Sequence, residues 1–239
     1  MKQVFIYLIL SVFLVLTSCQ KQESSVPRKD DLKKGNQMLD EGKYDQAIRF
    51  FTKKLDEDDN RQFRLALASA YAARAGLTRK DFVAIADVAM MKTSAPEEWG
   101  DIFKLLFFLQ GIKDRWDAIP TVETAAKADL KRALEVLAPS DEPSVRLYSA
   151  ALRTIYIKAT MGDGLDPWLR LNHKNLCKQD IKPLLKWSNG VIYQMQELGY
   201  DLQGAYPSKK EHFGKMQEDL AKASDQINSW NQERSLLCP

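Results

Sequence analysis

The sequence predicts an all-α protein, because apolar residues recur at intervals of three and four in several segments of its 239 residues. In residues 144–161, for instance, Leu147, Tyr148, Leu152 and Ile155 would lie on one face of a helix. Helix start signals separate such segments, as in Ser94-Ala95-Pro96-Glu97, which combines a capping box with a proline in the first turn. Both observations favour a succession of helices.

Residues 1–18 have the composition of a secretion signal. Lys2 supplies a positive charge, and an apolar run follows from Val4 to Leu16. A helix of that length spans about 20 Å, which is less than the roughly 30 Å hydrocarbon core of a bilayer. The run is therefore typical of a cleaved signal peptide rather than of a permanent membrane span.

The leader ends in Leu16-Thr17-Ser18-Cys19, which resembles the lipobox of bacterial lipoproteins. The resemblance implies that Cys19 carries a covalent lipid, that the chain is cut before it, and that the new amino terminus is acylated. Gln20 stands where an Asp retains such proteins in the inner membrane of enteric bacteria. The resemblance therefore implies an anchor in the outer membrane, with the protein facing the periplasm. An ordinary signal peptide followed by a chance cysteine is the alternative.

Residues 19–30 follow as the lipidated cysteine and a polar, flexible tether, which reaches at most about 40 Å when fully extended. The whole chain has 35 basic and 32 acidic residues, a formal net charge of +3. Because these charges are interleaved and form no long basic stripe, we expect no nucleic-acid partner. The hydrophobic content of 45% predicts a folded domain beyond the tether.

Residues 33–60, KKGNQMLDEGKYDQAIRFFTKKLDEDDN, resemble the tetratricopeptide repeat (TPR), a helix-turn-helix unit of 34 residues. Gly35 matches the small residue at which the paired helices approach, and Gly42 marks the turn. Tyr44, Ala47 and Phe51 have the spacing of the packing residues of the second helix. Met38, Lys54 and Asp59 depart from the usual pattern, and a lone amphipathic helical hairpin is the alternative.

One such repeat cannot bury its own apolar face, so the resemblance implies further repeats in a helical-hairpin solenoid or bundle over residues 31–161. Residues 61–75 predict a helix that Gly76 ends, and Thr78 would cap a partner helix over residues 81–91. Further helices are predicted over residues 121–138 and 144–161. The Gly- and Asp-rich residues 162–167 predict a loop and a domain boundary.

We expect residues 162–239 to form a C-terminal helical region packed on the repeats. A helix is predicted over residues 180–198, ended by Gly199. In the last helix, Phe213, Met216, Leu220, Ala223, Ile227 and Trp230 form one apolar seam, which suits a capping helix. A homodimeric coiled coil is the alternative interpretation of this seam.

Cys177 and Cys238 remain after lipidation of Cys19, and an even pair in an oxidising compartment predicts a disulfide. Two unrelated buried thiols are the alternative. No catalytic motif is present, and we expect His173 and His212 to be solvated surface residues. The acidic run 56–59 lacks the Gly turn and terminal Glu of a calcium loop. The sequence therefore predicts a protein that is not an enzyme and has no metal and no cofactor.

The TPR resemblance implies a concave groove that binds a protein or peptide partner. By helical geometry its candidate residues are Asn36, Leu39, Asp40, Arg64, Ala68 and Tyr71. Asn36 matches a residue of the carboxylate-clamp TPRs, but Leu32 replaces their lysine, which puts capture of a free C-terminus in doubt.

Two functions follow. The first is a scaffold for protein interactions in the envelope. The second is a small-ligand-binding lipoprotein, similar to the TPR lipoproteins associated with TRAP transporters, with a cavity lined by Trp99, Phe103 and Phe107.

Overall fold

The computed structural model of the chain describes residues 29–78, 80–82, 117, 119–169 and 182–237. These residues form helices and connecting turns, and no strand occurs among them. The predicted all-α class is confirmed. The helices are α1 (Lys29–Asp40), α2 (Tyr44–Glu57), α3 (Arg61–Arg74), α4 (Lys127–Leu137), α5 (Pro143–Leu169), α6 (Lys182–Ala205) and α7 (Lys210–Leu237).

The helices pack mainly against their neighbours in the chain. α1 and α2 form a hairpin, and α3 packs on both of them. α4 packs on α3, α5 on α4, α6 on α5 and α7 on α6. The described part of the protein is therefore a succession of helices in chain order, each packed mainly on the ones before and after it.

The first hairpin depends on two glycines. Gly42 has a φ of 71° in the turn between α1 and α2, a conformation that residues with a Cβ rarely adopt. Gly35 lies on α1 where the ring of Phe51 packs directly against the backbone, and a Cβ at this position would overlap that ring. Phe51 is fully buried, so Gly35 allows the close approach of the two helices that the sequence predicted.

The start and the end of α3 have identifiable causes. The side chain of Asn60 accepts a hydrogen bond of 2.8 Å from the backbone N–H of Gln62 and so caps the helix. The helix ends before Gly76, which has a φ of 88°. Beyond it, both the N–H and the hydroxyl of Thr78 donate to the Asp81 carboxylate, so the Asp81 side chain accepts the hydrogen bonds here. The helix that Thr78 was predicted to cap lies outside the described residues beyond residue 82.

Two apolar clusters occupy this N-terminal part. The first lies between α1, α2 and α3, and includes Ala47, Phe51 and Phe63. The second lies between α3, α4 and α5, and includes Leu130, Leu152 and Ile155. Because α3 contributes to both clusters, it holds the hairpin to the following helices.

The predicted loop over residues 162–167 is wrong, because α5 continues as a helix to Leu169. The Trp187 ring of α6 lies against Gly164, where a Cβ would overlap it, and Trp187 Nε1 donates a hydrogen bond of 2.7 Å to the Thr160 carbonyl. Asp163 also pairs with Lys127 of α4. This packing favours the helix although glycine disfavours it locally. No loop therefore marks the proposed domain boundary at residue 162.

Two other predicted limits also differ. The helix predicted to start at residue 121 begins at Lys127, after a short 3₁₀ turn over Thr124–Ala126. The helix predicted to end at Gly199 continues to Ala205. Gly199 lies at the contact with α7, where Met216 and Gln217 pack against it. Its lack of a side chain allows the contact, so this glycine does not end the helix.

Candidate functional site

The groove residues predicted on α1 face different surroundings. Asn36 and Asp40 are exposed, and together with Lys29, Leu32, Lys33 and Gln37 they border a shallow depression on the outer face of the helix. Leu39 is half-buried against the cluster between α1 and α3. Only Asn36 and Asp40 of the three are therefore fully available to a partner.

The groove residues predicted on α3 lie beneath or against α4. Ala68 is fully buried in the apolar cluster between α3, α4 and α5. Arg64 donates a hydrogen bond of 3.0 Å to the Val136 carbonyl of α4 and pairs with Asp59. Tyr71 is half-buried and packs against both apolar clusters. The predicted groove would need Ala68 to be exposed. Because α4 packs on the side of α3 that carries Ala68, this residue cannot line a groove.

One arginine, Arg74, joins the three helices α2, α3 and α4. Arg74 of α3 hydrogen-bonds to Asp45 of α2 across 2.6 Å and to Asp129 of α4 across 2.5 and 2.8 Å. Its guanidinium also lies 5.5 Å from the centre of the Tyr71 ring. The hydrogen bond to Asp129, supported by Asp45, raises the pKa of Arg74 above its ordinary value. These contacts hold α2, α3 and α4 together and are structural.

A buried carboxylate lies between α5 and α6. Asp201 is 1% exposed. Its Oδ1 accepts a hydrogen bond of 3.1 Å from Arg146, and its Oδ2 accepts bonds of 2.7 Å from Ser149 and 2.8 Å from Arg153. Each donor belongs to α5, so this single carboxylate joins the two helices through three charged or polar contacts.

The surrounding side chains complete this network. Arg153 also donates to Gln194 across 2.8 Å and lies 3.6 Å from the Glu197 carboxylate, both on α6. Arg146 also donates to the exposed Asp141 across 2.7 Å. Because the oxygens of Asp201 are satisfied from within the fold, the network is a structural contact between helices and not an accessible reaction centre.

A long groove between α6 and the first half of α7 has a different character. Two large side chains border it on α6, where Tyr193 is 55% exposed and Tyr200 is 57% exposed. Gly214 and Ala221 border it on α7. Among the described residues, this groove combines the most exposed aromatic side chains with a concave surface.

The floor of the groove is held by amide groups. Gln203 Nε2 donates to Gln217 Oε1 across 2.5 Å, and Gln217 Nε2 donates to the Gln196 carbonyl across 3.0 Å. The turn end of the groove carries more positive than negative charge, since Lys209, Lys210 and Lys215 are exposed there beside Glu211 and Glu218. The groove is therefore preformed by the packing of two helices, with a polar floor and an aromatic wall.

Sequence reasoning did not identify Tyr193 and Tyr200 as candidate binding residues. Their spacing of seven places them on one face of a helix, which was the available signal. Because Gly199 was predicted to end the helix, Tyr200 was placed outside the helix that contains Tyr193, and the shared face was not recognised. Their exposure also depends on how α5 and α7 pack on α6, which the spacing does not reveal.

Several candidate residues lie outside the described part of the chain. They are Cys19, where lipid attachment is predicted, the cysteines Cys177 and Cys238 of the predicted disulfide, His173, and Trp99, Phe103 and Phe107 of the predicted cavity. His212 is described and is exposed near the start of α7, as predicted.

Within the described ranges, His, Cys, Asp and Glu side chains form no group of three that could hold a metal ion. In the same ranges, no helix is both long and apolar enough to cross a membrane. Comparison with models of known protein families, with characterised proteins and with solved structures finds no match to this chain.

Proposed function

We propose that the protein is a membrane-anchored scaffold that binds another protein in the bacterial periplasm and does no chemistry of its own. The observation that carries the proposal is the packing of α3 on the hairpin of α1 and α2, with Gly35 against Phe51. In TPR proteins each repeat likewise buries its apolar face against the next one. The helices from α4 to α7 extend the stack in the same sequential manner.

The proposed location rests on the leader and on Leu16-Thr17-Ser18-Cys19. Lipid on Cys19 would keep the domain within a short tether of the membrane, so its partner would be another component of the envelope. Two or more acyl chains are needed for stable anchoring, which the lipobox resemblance implies. The covalent lipid is the only attached group in this proposal.

Metabolic labelling tests the anchor. The full chain is expressed in an enteric bacterium that is fed a clickable fatty acid, and labelled protein is followed through fractionation of the membranes. We expect label on the wild type and on Cys177→Ala, and none on Cys19→Ala. The wild type should collect in the outer membrane, and Gln20→Asp should shift it to the inner membrane. An unlabelled wild type, or label that persists in Cys19→Ala, contradicts the anchor.

Affinity purification after crosslinking in intact envelopes tests the scaffold. We expect the lipidated wild type to recover a partner reproducibly, and an unrelated lipoprotein with the same leader to recover none. If the wild type enriches no protein over that control, the proposed binding function is wrong, whatever the state of the anchor.

A further inference from the structure

We propose that the groove between α6 and α7 binds an amphipathic α-helix of the partner protein. This inference rests on the proposed scaffold function and deepens it by naming the binding surface and the class of partner. The helix would lie along the groove, with apolar residues at heptad spacing against the aromatic wall and acidic residues at the basic end.

The spacing of the wall residues supports a helical occupant. Tyr193 and Tyr200 are seven residues apart on α6, and Gly214 and Ala221 are seven residues apart on α7. Seven residues of helix rise about 10.5 Å, which is two turns. A third helix presents its own side chains with the same repeat, so its residues i and i+7 would meet equivalent positions of the groove.

The two walls are also complementary in size. The helices are antiparallel, and the contacts of Gln203 with Gln217 and of Gly199 with Met216 establish their register. In this register the small residues of α7 alternate along the groove with the tyrosines of α6. Large residues on one wall beside gaps on the other form recesses for the side chains of a packed helix.

The tyrosine wall of the groove is exposed, since Tyr193 and Tyr200 both keep more than half of their surface accessible. α6 packs against α5 through Asp201 and against α7 through Ile192, Leu220 and Ala223. Tyr193 and Tyr200 belong to neither contact and line the groove beside Gln196 and Gln203, which bond to α7. Exposed tyrosines are enriched where proteins bind one another, because the ring buries a large area at a low cost in conformational entropy.

The charges indicate the direction of the bound helix. Lys209, Lys210 and Lys215 lie at the turn end of the groove, where Glu211 and Glu218 are the acidic lining residues. Further along, the Glu197 carboxylate is already near Arg153. The turn end therefore carries an excess of positive charge, and the acidic end of the partner helix would lie there.

Designed peptides test the proposal directly. The full chain is held in phospholipid nanodiscs, and binding of fluorescent 21-residue helical peptides is followed by anisotropy, with empty nanodiscs as the blank. The probe has leucines at heptad spacing and glutamates at one end. One control peptide has the same leucines in scrambled order, and another has lysines in place of the glutamates. We expect the probe to bind, and we expect the affinity of both control peptides to be lower by about tenfold or more.

Variants of the chain locate the binding surface. The double variant Tyr193→Ser/Tyr200→Ser should lower the affinity for the probe about tenfold, as should Ala221→Trp, which fills a recess. Leu147→Ser, which changes an exposed apolar residue of α5, is the matched control and should bind as the wild type does. Circular dichroism spectra should be the same for all, because the altered residues are exposed.

Three results would overturn the proposal. One is equal binding of the probe and the scrambled peptide. Another is a probe affinity that the groove variants leave unchanged. The third is occupation of the groove by a second copy of the chain or by lipid. A second copy would appear as a wild-type dimer, and lipid as binding of the wild type to vesicles, with the double tyrosine variant abolishing either one. None of these results contradicts the proposed scaffold function if crosslinking still recovers a partner. The peptide experiment therefore tests the groove, and the crosslinking experiment tests the scaffold.

Discussion

Asp201 of α6 accepts a hydrogen bond of 2.8 Å from Nε of Arg153 on α5, and its side chain is almost completely removed from solvent. A carboxylate in this position has lost its hydration, and hydrogen bonds from Arg146 and Ser149 compensate for that loss. The contact therefore aligns α5 with α6, and through α6 it places the groove at the end of the stack.

Replacement of Asp201 by Ala is expected to lower the free energy of unfolding by about 3 kcal/mol or more, because it leaves the guanidinium of Arg153 buried without its main partner. Urea unfolding followed by circular dichroism measures the change. Asp141→Ala is the matched control, since Asp141 pairs with the same Arg146 but is exposed. Its cost should be below about 1 kcal/mol. Equal costs for the two variants would contradict the buried network.

Gly35→Ala is expected to destabilise the protein by about 1 to 3 kcal/mol, because the added methyl group overlaps the Phe51 ring. This loss would occur although alanine is the better helix former by about 1 kcal/mol. Denaturant unfolding measures it. Phe51→Leu in the same chain should relieve part of the overlap, so the two substitutions together should cost less than the sum of their separate effects. Strict additivity would argue against the contact.

Gly162→Ala is expected to raise the free energy of unfolding by up to about 1 kcal/mol, since residue 162 lies within α5 and a Cβ there meets no other atom. A glycine in a loop would not give this gain from helix propensity. Gly42→Ala provides the contrast, because its φ of 71° makes an alanine strained by about 1 kcal/mol. Thermal unfolding compares both, and destabilisation by Gly162→Ala would contradict a continuous α5.

Tyr148→Phe is expected to change how stability depends on alkaline pH. Burial raises the pKa of the Tyr148 phenol, and its hydrogen bond of 3.2 Å with Ser69 opposes the shift. Because the pKa is raised in the folded state, the contribution of the Tyr148 phenol to the free energy of unfolding is fully present below the unfolded pKa of about 10. It is lost as the pH rises through the folded pKa. The wild type should therefore lose more stability than Tyr148→Phe between pH 9 and 11.

Urea unfolding at several pH values measures this difference. At neutral pH the variant should be less stable by about 1 kcal/mol, because it lacks the hydrogen bond to Ser69. Parallel losses of stability in the two proteins above pH 10 would show that the phenol is not protected by the fold.

Local patterns predicted much of the N-terminal architecture. The Gly42 turn, the contact site at Gly35 and the helix that ends before Gly76 were all recognisable, because a turn or a helix end depends on a few adjacent residues. The same reasoning failed at Gly164 and Gly199. There, glycine allows another helix to approach, and the residues that approach, Trp187 and Met216, lie elsewhere in the sequence.

The candidate sites divide in the same way. Asn36 and Asp40 lie exposed on α1, as helical periodicity predicted. Ala68 is buried, because α4 lies against α3 although more than fifty residues of chain separate the two helices. Periodicity identifies which residues share a face of a helix but does not identify the element that covers the face.

The amino-acid sequence alone determined the all-α class, the first hairpin and most of the helices, since backbone hydrogen bonding and the spacing of apolar residues act over a few positions. Only the tertiary structure decided that α5 continues through Gly164, that Asp201 is buried among arginines, and that Tyr193 and Tyr200 face an open groove. Each of these outcomes depends on contacts between distant segments, whose free energy exceeds the weak local preferences of a glycine or a single side chain.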